Sequence, residues 1–175
     1  MGVCTLKKFL ILDMDRCTGC EACVVSCSIS KEGIFDPTRS RIQVFRDESE
    51  GLAIPFVCEQ CEEPPCVEAC PVNALEKDVE IGVVRVNSKL CTGCGLCVEA
   101  CLYNGVRLNP KSNVAIICDL CGGEPLCANV CVPTKAITCV DYSDETFREK
   151  MKDTKKRMTT FKSIKEDFGG TEHVC

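Results

Sequence analysis

Short apolar runs rich in β-forming residues recur along the chain, at Lys8 to Asp13, Arg41 to Arg46, Gly82 to Asn87, Val114 to Cys118 and Ala136 to Val140. Their length and composition predict strands rather than helices. Between them lie cysteine-rich stretches with three-residue spacers, such as Val98-Glu99-Ala100. A spacer of that length fits one helical turn and brings its flanking cysteines to neighbouring positions. From Tyr142 onward the pattern changes. Phe147, Met151, Met158 and Phe161 stand among many Lys and Arg, which predicts a solvated helix with a sparse apolar stripe. Asp144 and Glu145 at its start, and Lys155, Lys156 and Arg157 further along, suit the helix dipole. Gly169-Gly170 would end it. The expected class is α+β, with short strands and helices over residues 1–140 and a tail over 141–175. That tail reads as a docking arm for a partner subunit, or as a disordered or surface-lying extension. No apolar stretch approaches the roughly 18 residues of a membrane span.

The cysteines explain how so small a chain holds together. Of 175 residues, 19 are Cys, against no Trp, two Tyr and seven Phe. The aromatic content that dominates ordinary cores is thin, so metal ligation is expected to contribute folding energy. Sixteen of the cysteines form four blocks. Cys17, Cys20, Cys23 and Cys27 follow C-x2-C-x2-C-x3-C, and Cys91, Cys94, Cys97 and Cys101 repeat that pattern. Cys58, Cys61, Cys66 and Cys70 follow C-x2-C-x4-C-x3-C, and Cys118, Cys121, Cys127 and Cys131 follow C-x2-C-x5-C-x3-C. A [4Fe–4S] cube needs four thiolates, and paired ferredoxin blocks supply three from one block and the fourth from the other. Four blocks imply four cubes, hence an electron carrier. Zinc is the rival, since C-x2-C pairs suit tetrahedral sites. It usually takes two separated pairs or a histidine, however, and the one histidine is His173. A disulfide framework fits poorly with an odd count and with a start that is not a signal peptide. The expected location is the cytoplasm.

The blocks are ordered A-B-A′-B′. The first and third share C-T-G-C-x-x-C-V-x-x-C, the second and fourth carry a proline-containing insert, and Cys66-Val-Glu-Ala-Cys70 recurs as Cys97-Val-Glu-Ala-Cys101. Gly19, Gly93 and Gly95 stand where a cluster loop must turn tightly. Pro71 and Pro133 are placed to stop the short helices after the second and fourth blocks, where the first and third have Ser28 and Leu102. Cys4, Cys139 and Cys175 fall outside the blocks and are expected to be non-ligands. Formal net charge is −5, with no basic stripe for nucleic acid. An acidic surface fits either simple solubility or docking to a basic patch. The single histidine cannot build a hydrolytic triad, and no phosphate-binding glycine loop is present.

Asp15-Arg16-Cys17-Thr-Gly-Cys20 and Cys58-Glu-Gln-Cys61-Glu-Glu-Pro-Pro-Cys66 make residues 6–140 resemble the four-cluster polyferredoxin subunits of molybdenum and tungsten oxidoreductases. That family includes the iron–sulfur subunits of dimethyl sulfoxide reductase, formate dehydrogenase and polysulfide reductase. Cys27-Ser-Ile-Ser-Lys-Glu-Gly33, Phe35 to Ile42 and Cys118-Asp-Leu-Cys121-Gly-Gly-Glu-Pro resemble a compact branch serving tungstopterin enzymes such as aldehyde oxidoreductase or tungsten-dependent benzoyl-CoA reductase. The resemblance implies that outer blocks share ligands, as do inner blocks. One cluster would take Cys17, Cys20, Cys23 and Cys131, and its mate Cys118, Cys121, Cys127 and Cys27. The inner pair would be Cys58, Cys61, Cys66 with Cys101, and Cys91, Cys94, Cys97 with Cys70. It implies two pseudo-symmetric ferredoxin-like lobes, the outer about 1–50 with 110–140 and the inner about 51–109. It also implies four [4Fe–4S] clusters and no catalysis by the chain itself. The expected partner is a large tungstopterin or molybdopterin subunit, with further redox subunits or other copies of the chain as additional contacts. A free-standing shuttle for hydrogenase or formate metabolism is the alternative.

Overall fold

The computed structural model describes residues 7–167. Eight strands pair into four separate two-stranded antiparallel sheets. β1 (Lys8–Leu12) pairs with β8 (Ile137–Asp141), tying the start of the cysteine-rich region to its end. The other three sheets are hairpins: β2 (Gln43–Asp47) with β3 (Leu52–Phe56), β4 (Leu75–Asp78) with β5 (Val83–Val86), and β6 (Val106–Leu108) with β7 (Ala115–Ile117). The five apolar runs correspond to β1, β2, β5, β7 and β8. The strands without such a signal are their partners. β3 contains Pro55, which lacks a ladder donor but is tolerated where every strand is an edge. β4 reads Leu-Glu-Lys-Asp and β6 only Val-Arg-Leu, so neither contains an apolar run.

Four short helices follow the cysteine loops. α1 (Ala22–Glu32), α2 (Pro65–Glu68), α3 (Leu96–Glu99) and α4 (Leu126–Val130) each begin one residue before the third cysteine of a block. α2, α3 and α4 are the single turns that the spacers predict. α1 is longer, running through Cys27 and Ser28 to Gly33, whereas α3 stops at Glu99 although Leu102 likewise leaves it without a proline. Gly33 adopts φ 70° and donates its N–H to Ile29 O at 2.9 Å, closing the helix with a left-handed residue. α1 packs on α4 and α2 on α3, so first-block helix meets fourth and second meets third. The hairpins β2–β3 and β6–β7 run across residues 50 and 110, the approximate limits expected for the lobes.

The main core consists of strand residues Leu10, Leu12, Val83, Val84, Val106, Ile117 and Ile137 packed with cysteines of all four blocks. A second cluster joins Met14, Ile54 and Phe56 to Phe161 and Ile164. The last two belong to α5 (Asp144–Asp167). The predicted helix is present, but the buried stripe differs from the expected one. It runs Lys150, Thr154, Arg157, Phe161 and Ile164, at alternating spacings of four and three, whereas Phe147 and Met151 are exposed. Three of these five inward positions are polar, so an apolar count does not find the stripe. They are buried because they meet Glu59, itself buried. Arg157 Nη2 lies 2.6 Å from Glu59 Oε1, Thr154 donates to Oε2 at 3.1 Å, and Lys150 bonds both the carboxylate and the Glu59 carbonyl. Phe161 closes edge-to-face contacts with Phe45 and Phe56, at centroid distances of 5.2 and 4.8 Å. Cys4, His173, Cys175 and Gly169-Gly170 lie outside the described residues. Among the described residues no helix is long and apolar enough to cross a membrane.

Candidate metal centres

In all four blocks the residue before the second cysteine has a left-handed backbone. These are Gly19 (φ 69°), Gln60 (φ 52°), Gly93 (φ 69°) and Leu120 (φ 55°). Two are the expected glycines. Gln60 and Leu120 carry no such signal, and a non-glycine residue there costs about 1–2 kcal/mol. Their side chains provide offsetting contacts. Gln60 Nε2 donates to Cys118 O at 2.7 Å, and its Oε1 accepts from Val84 N at 3.3 Å, joining the second and fourth loops. Leu120 is buried in the core. The turn carries the first two cysteines to one side, and the helix that follows adds the third in its first turn.

All sixteen block cysteines lie in the described residues with free thiols. Burial pushes the Cys23 thiol up to about 12, and the charges of Cys17, Cys20 and Cys131 act in the same direction. Burial likewise raises Cys127 to about 12, with Cys27, Cys23 and Cys121 next in effect. Cys118 is raised by burial and by the charges of Cys127 and Cys27. Cys66 is pushed up to about 11 by burial, Cys101 and Cys61, and Cys58 is raised by burial with Cys118, Cys101 and Cys66 adding to it. Cys97 is raised by burial, then by Cys91, Cys94 and Cys70. Thiols are thus gathered in groups where burial and mutual repulsion oppose ionisation. Thiolates gathered this way need a cationic core among them. Burial raises the Cys139 pKa and Asp141 adds to it, while Lys8 acts the other way, and no other cysteine is among the causes.

Backbone donors point at the sulfurs. Arg41 N reaches Cys27 Sγ at 3.3 Å, Ala74 N reaches Cys70 Sγ at 3.2 Å, and Gly105 N reaches Cys101 Sγ at 3.2 Å. Ala115 N lies 3.4 Å from Cys91 Sγ, Leu120 N 3.4 Å from Cys118 Sγ, and Gln60 N 3.5 Å from Cys58 Sγ. Burial opposes ionisation of Cys70, but the N–H groups of Ala74, Val72, Leu75 and Asn73 outweigh it and lower the thiol pKa. Such N–H···S bonds are a lever on cluster potential. All-sulfur donors with N–H bonds to the sulfurs fit an iron–sulfur core. A single zinc ion draws its sulfurs to about 2.3 Å. Among the described residues, no three His, Cys, Asp or Glu side chains gather closely enough to hold one ion.

Sequence comparison bears on which core this is. A family profile described as a 4Fe-4S dicluster domain matches residues 49–142. The chain belongs to this 4Fe-4S dicluster ferredoxin family. Among the relatives of this ferredoxin is the aliphatic sulfonate oxidoreductase, polyferredoxin-like subunit, of Pyrococcus furiosus. It is 44% identical over 125 residues, which cover 71% of this chain and 72% of that protein. A tetrathionate reductase subunit of Salmonella typhimurium is 37% identical over 135 residues, covering 70% of this chain and 54% of the Salmonella protein, so the match spans about half of it. Among solved structures, the active site complex BamBC of benzoyl coenzyme A reductase with benzoyl-CoA contains a chain that aligns at 25% identity. Its TM-score is 0.47, with 92% of this chain and 91% of that one covered. This ferredoxin is an iron–sulfur electron-transfer protein of the kind that serves oxidoreductase complexes.

Residues with no expected role at the site also surround the cysteine loops. Lys31 pairs with Asp119 at 2.7 Å beside the fourth block, Lys77 reaches into the second, and Glu59 with Lys150 and Arg157 stands next to Cys58. No motif marks them, because their partners are distant in sequence and often backbone carbonyls.

Proposed function

We propose that this ferredoxin relays electrons through four [4Fe–4S] clusters, to or from a tungstopterin or molybdopterin oxidoreductase subunit. The ligand sets are Cys17, Cys20, Cys23 with Cys131; Cys118, Cys121, Cys127 with Cys27; Cys58, Cys61, Cys66 with Cys101; and Cys91, Cys94, Cys97 with Cys70. Two dicluster lobes result, the inner held within the outer. The observation that carries this reading is how the thiols influence one another. In each set the other cysteines help burial to raise at least one thiol, namely Cys23, Cys127, Cys66 and Cys97, and three influences cross between sets. Cys23 acts on Cys127, Cys118 on Cys58, and Cys97 on Cys66. These links order the sets in one line, from the Cys17 set through the Cys118 and Cys58 sets to the Cys91 set. The exposed cysteines Cys20 and Cys94 belong to the two end sets.

Each cluster, when bound, supplies one-electron redox chemistry. The chain's own residues do the rest. Buried Cys58, Cys66, Cys118 and Cys127 keep water from the middle of the line, while Cys20 and Cys94 bring its ends to the surface. The names of the Pyrococcus and Salmonella relatives favour a role inside an oxidoreductase complex over a free-standing shuttle. The test is anaerobic affinity capture of the full chain from native cells. Co-purification of a large subunit containing tungsten or molybdenum in stoichiometric amount is the expected result. Recovery of the chain alone, fully loaded with iron, would point to the shuttle.

A further inference from the structure

The β4–β5 hairpin carries a cation into the loop of the second block. Lys77 Nζ donates to Cys61 O at 2.8 Å, Gln60 O at 3.2 Å and, across its own hairpin, Gly82 O at 2.7 Å. An ammonium has three donors, so its hydrogen bonding is complete with carbonyls alone. Several cations near other loops face carboxylates, although Arg107 and Lys8 meet backbone carbonyls. Lys31 meets Asp119, Arg41 meets Glu32, and Lys150 and Arg157 share Glu59. None of the ion pairs found among the described residues includes Lys77. Lys77 is therefore a positive charge balanced by no carboxylate, held against the loop between Cys58 and Cys61, and the sulfurs of both act on it.

We propose that Lys77 is a positioning residue that raises the reduction potential of the cluster held by Cys58, Cys61, Cys66 and Cys101. Reduction adds a negative charge to a thiolate-bound core, and a fixed cation nearby favours the reduced form. The effect is strong where burial limits screening. That cluster is an inner member of the line, so a raised potential there makes it a holding point between the exposed ends. This inference rests on the four-cluster reading. Gln retains hydrogen-bond donors for the carbonyls but removes the charge, while Arg keeps the charge.

The experiment is a reductive titration of the anaerobically purified full chain, followed by EPR, on wild type, Lys77→Gln and Lys77→Arg, with iron counted in each. The expected result is wild-type iron content in both variants. In Lys77→Gln, one of the four midpoint potentials falls by at least tenfold in its reduction equilibrium, which is 59 mV for a one-electron couple. Lys77→Arg restores most of that fall. Four unchanged potentials in iron-replete Lys77→Gln would overturn the proposal. So would loss of iron in Lys77→Gln while Lys77→Arg keeps both iron and potentials, since Lys77 would then only brace the loop. Wild-type protein without four-iron clusters would overturn the underlying reading, and the iron count identifies that case separately.

Discussion

Gly105 stands four residues after Cys101, and a Cβ built on it would lie 2.6 Å from Cys58 Cα and 3.2 Å from Val57 O. Backbone cannot yield as a flexible side chain does, so a methyl group must push the two cysteine-bearing segments apart. Gly105→Ala should destabilise the protein by about 1–3 kcal/mol. It should also release about four irons per chain, the content of one cube. Anaerobic unfolding and iron analysis check both. Gly33 is the control. Unlike Gly105 it has a positive φ, but nothing lies within 4 Å of its built Cβ. Gly33→Ala should cost only the left-handed backbone strain, about 1–2 kcal/mol, with iron retained. At this scale the four cysteine loops, the short helices after them and the turn glycines Gly19 and Gly93 were legible, because spacing and residue type encode them directly. Gln60, Leu120 and Lys77 were not. Their conformations and partners depend on segments brought together only by folding.

Among the elements, α5 departs most from its sequence pattern. Phe147 and Met151 suggest an apolar stripe, yet the helix buries Lys150, Thr154 and Arg157 around Glu59 and places Phe161 and Ile164 on the second core. A pattern of apolar positions cannot register a face whose inward residues are buried ions. Since Glu59 follows Cys58 directly, α5 braces a cysteine loop from outside. Arg157 is 2% exposed, so Arg157→Ala breaks a pair shielded from solvent. Removing one partner of a buried pair costs about 3–5 kcal/mol. Lys150 still faces Glu59, which places the expected loss toward the lower end, about 3 kcal/mol. Phe161→Ala should cost about 3–5 kcal/mol by opening a cavity beside Phe45 and Phe56. Urea unfolding under anaerobic conditions measures both, and a loss below about 1 kcal/mol in each would mean that α5 does not brace the core. The five strands with apolar runs were legible from the length and β-forming composition of those runs, not from any alternation of buried and exposed positions. Their three partners owe their strand form to pairing.

For the whole molecule, the order of thiol sets makes a claim that no single cysteine makes. The line places the exposed ligands Cys20 and Cys94 at opposite ends, with the buried thiols Cys27, Cys58, Cys66, Cys118 and Cys127 between them. Cys94→Ala should therefore disable one end while leaving the other three centres reducible. Chemical reduction followed by EPR should show three four-iron signals of wild-type intensity, and electron transfer to a partner should fall. Loss of all four signals would show instead that the sets are not separate centres. Before that, the central claim rests on how much inorganic core the chain holds. The most direct measurement is iron and acid-labile sulfide per chain in anaerobically purified full-length protein, with zinc measured alongside. Four cubes predict about sixteen irons and as many sulfides. About eight irons, or zinc without sulfide, would contradict the four-cluster relay.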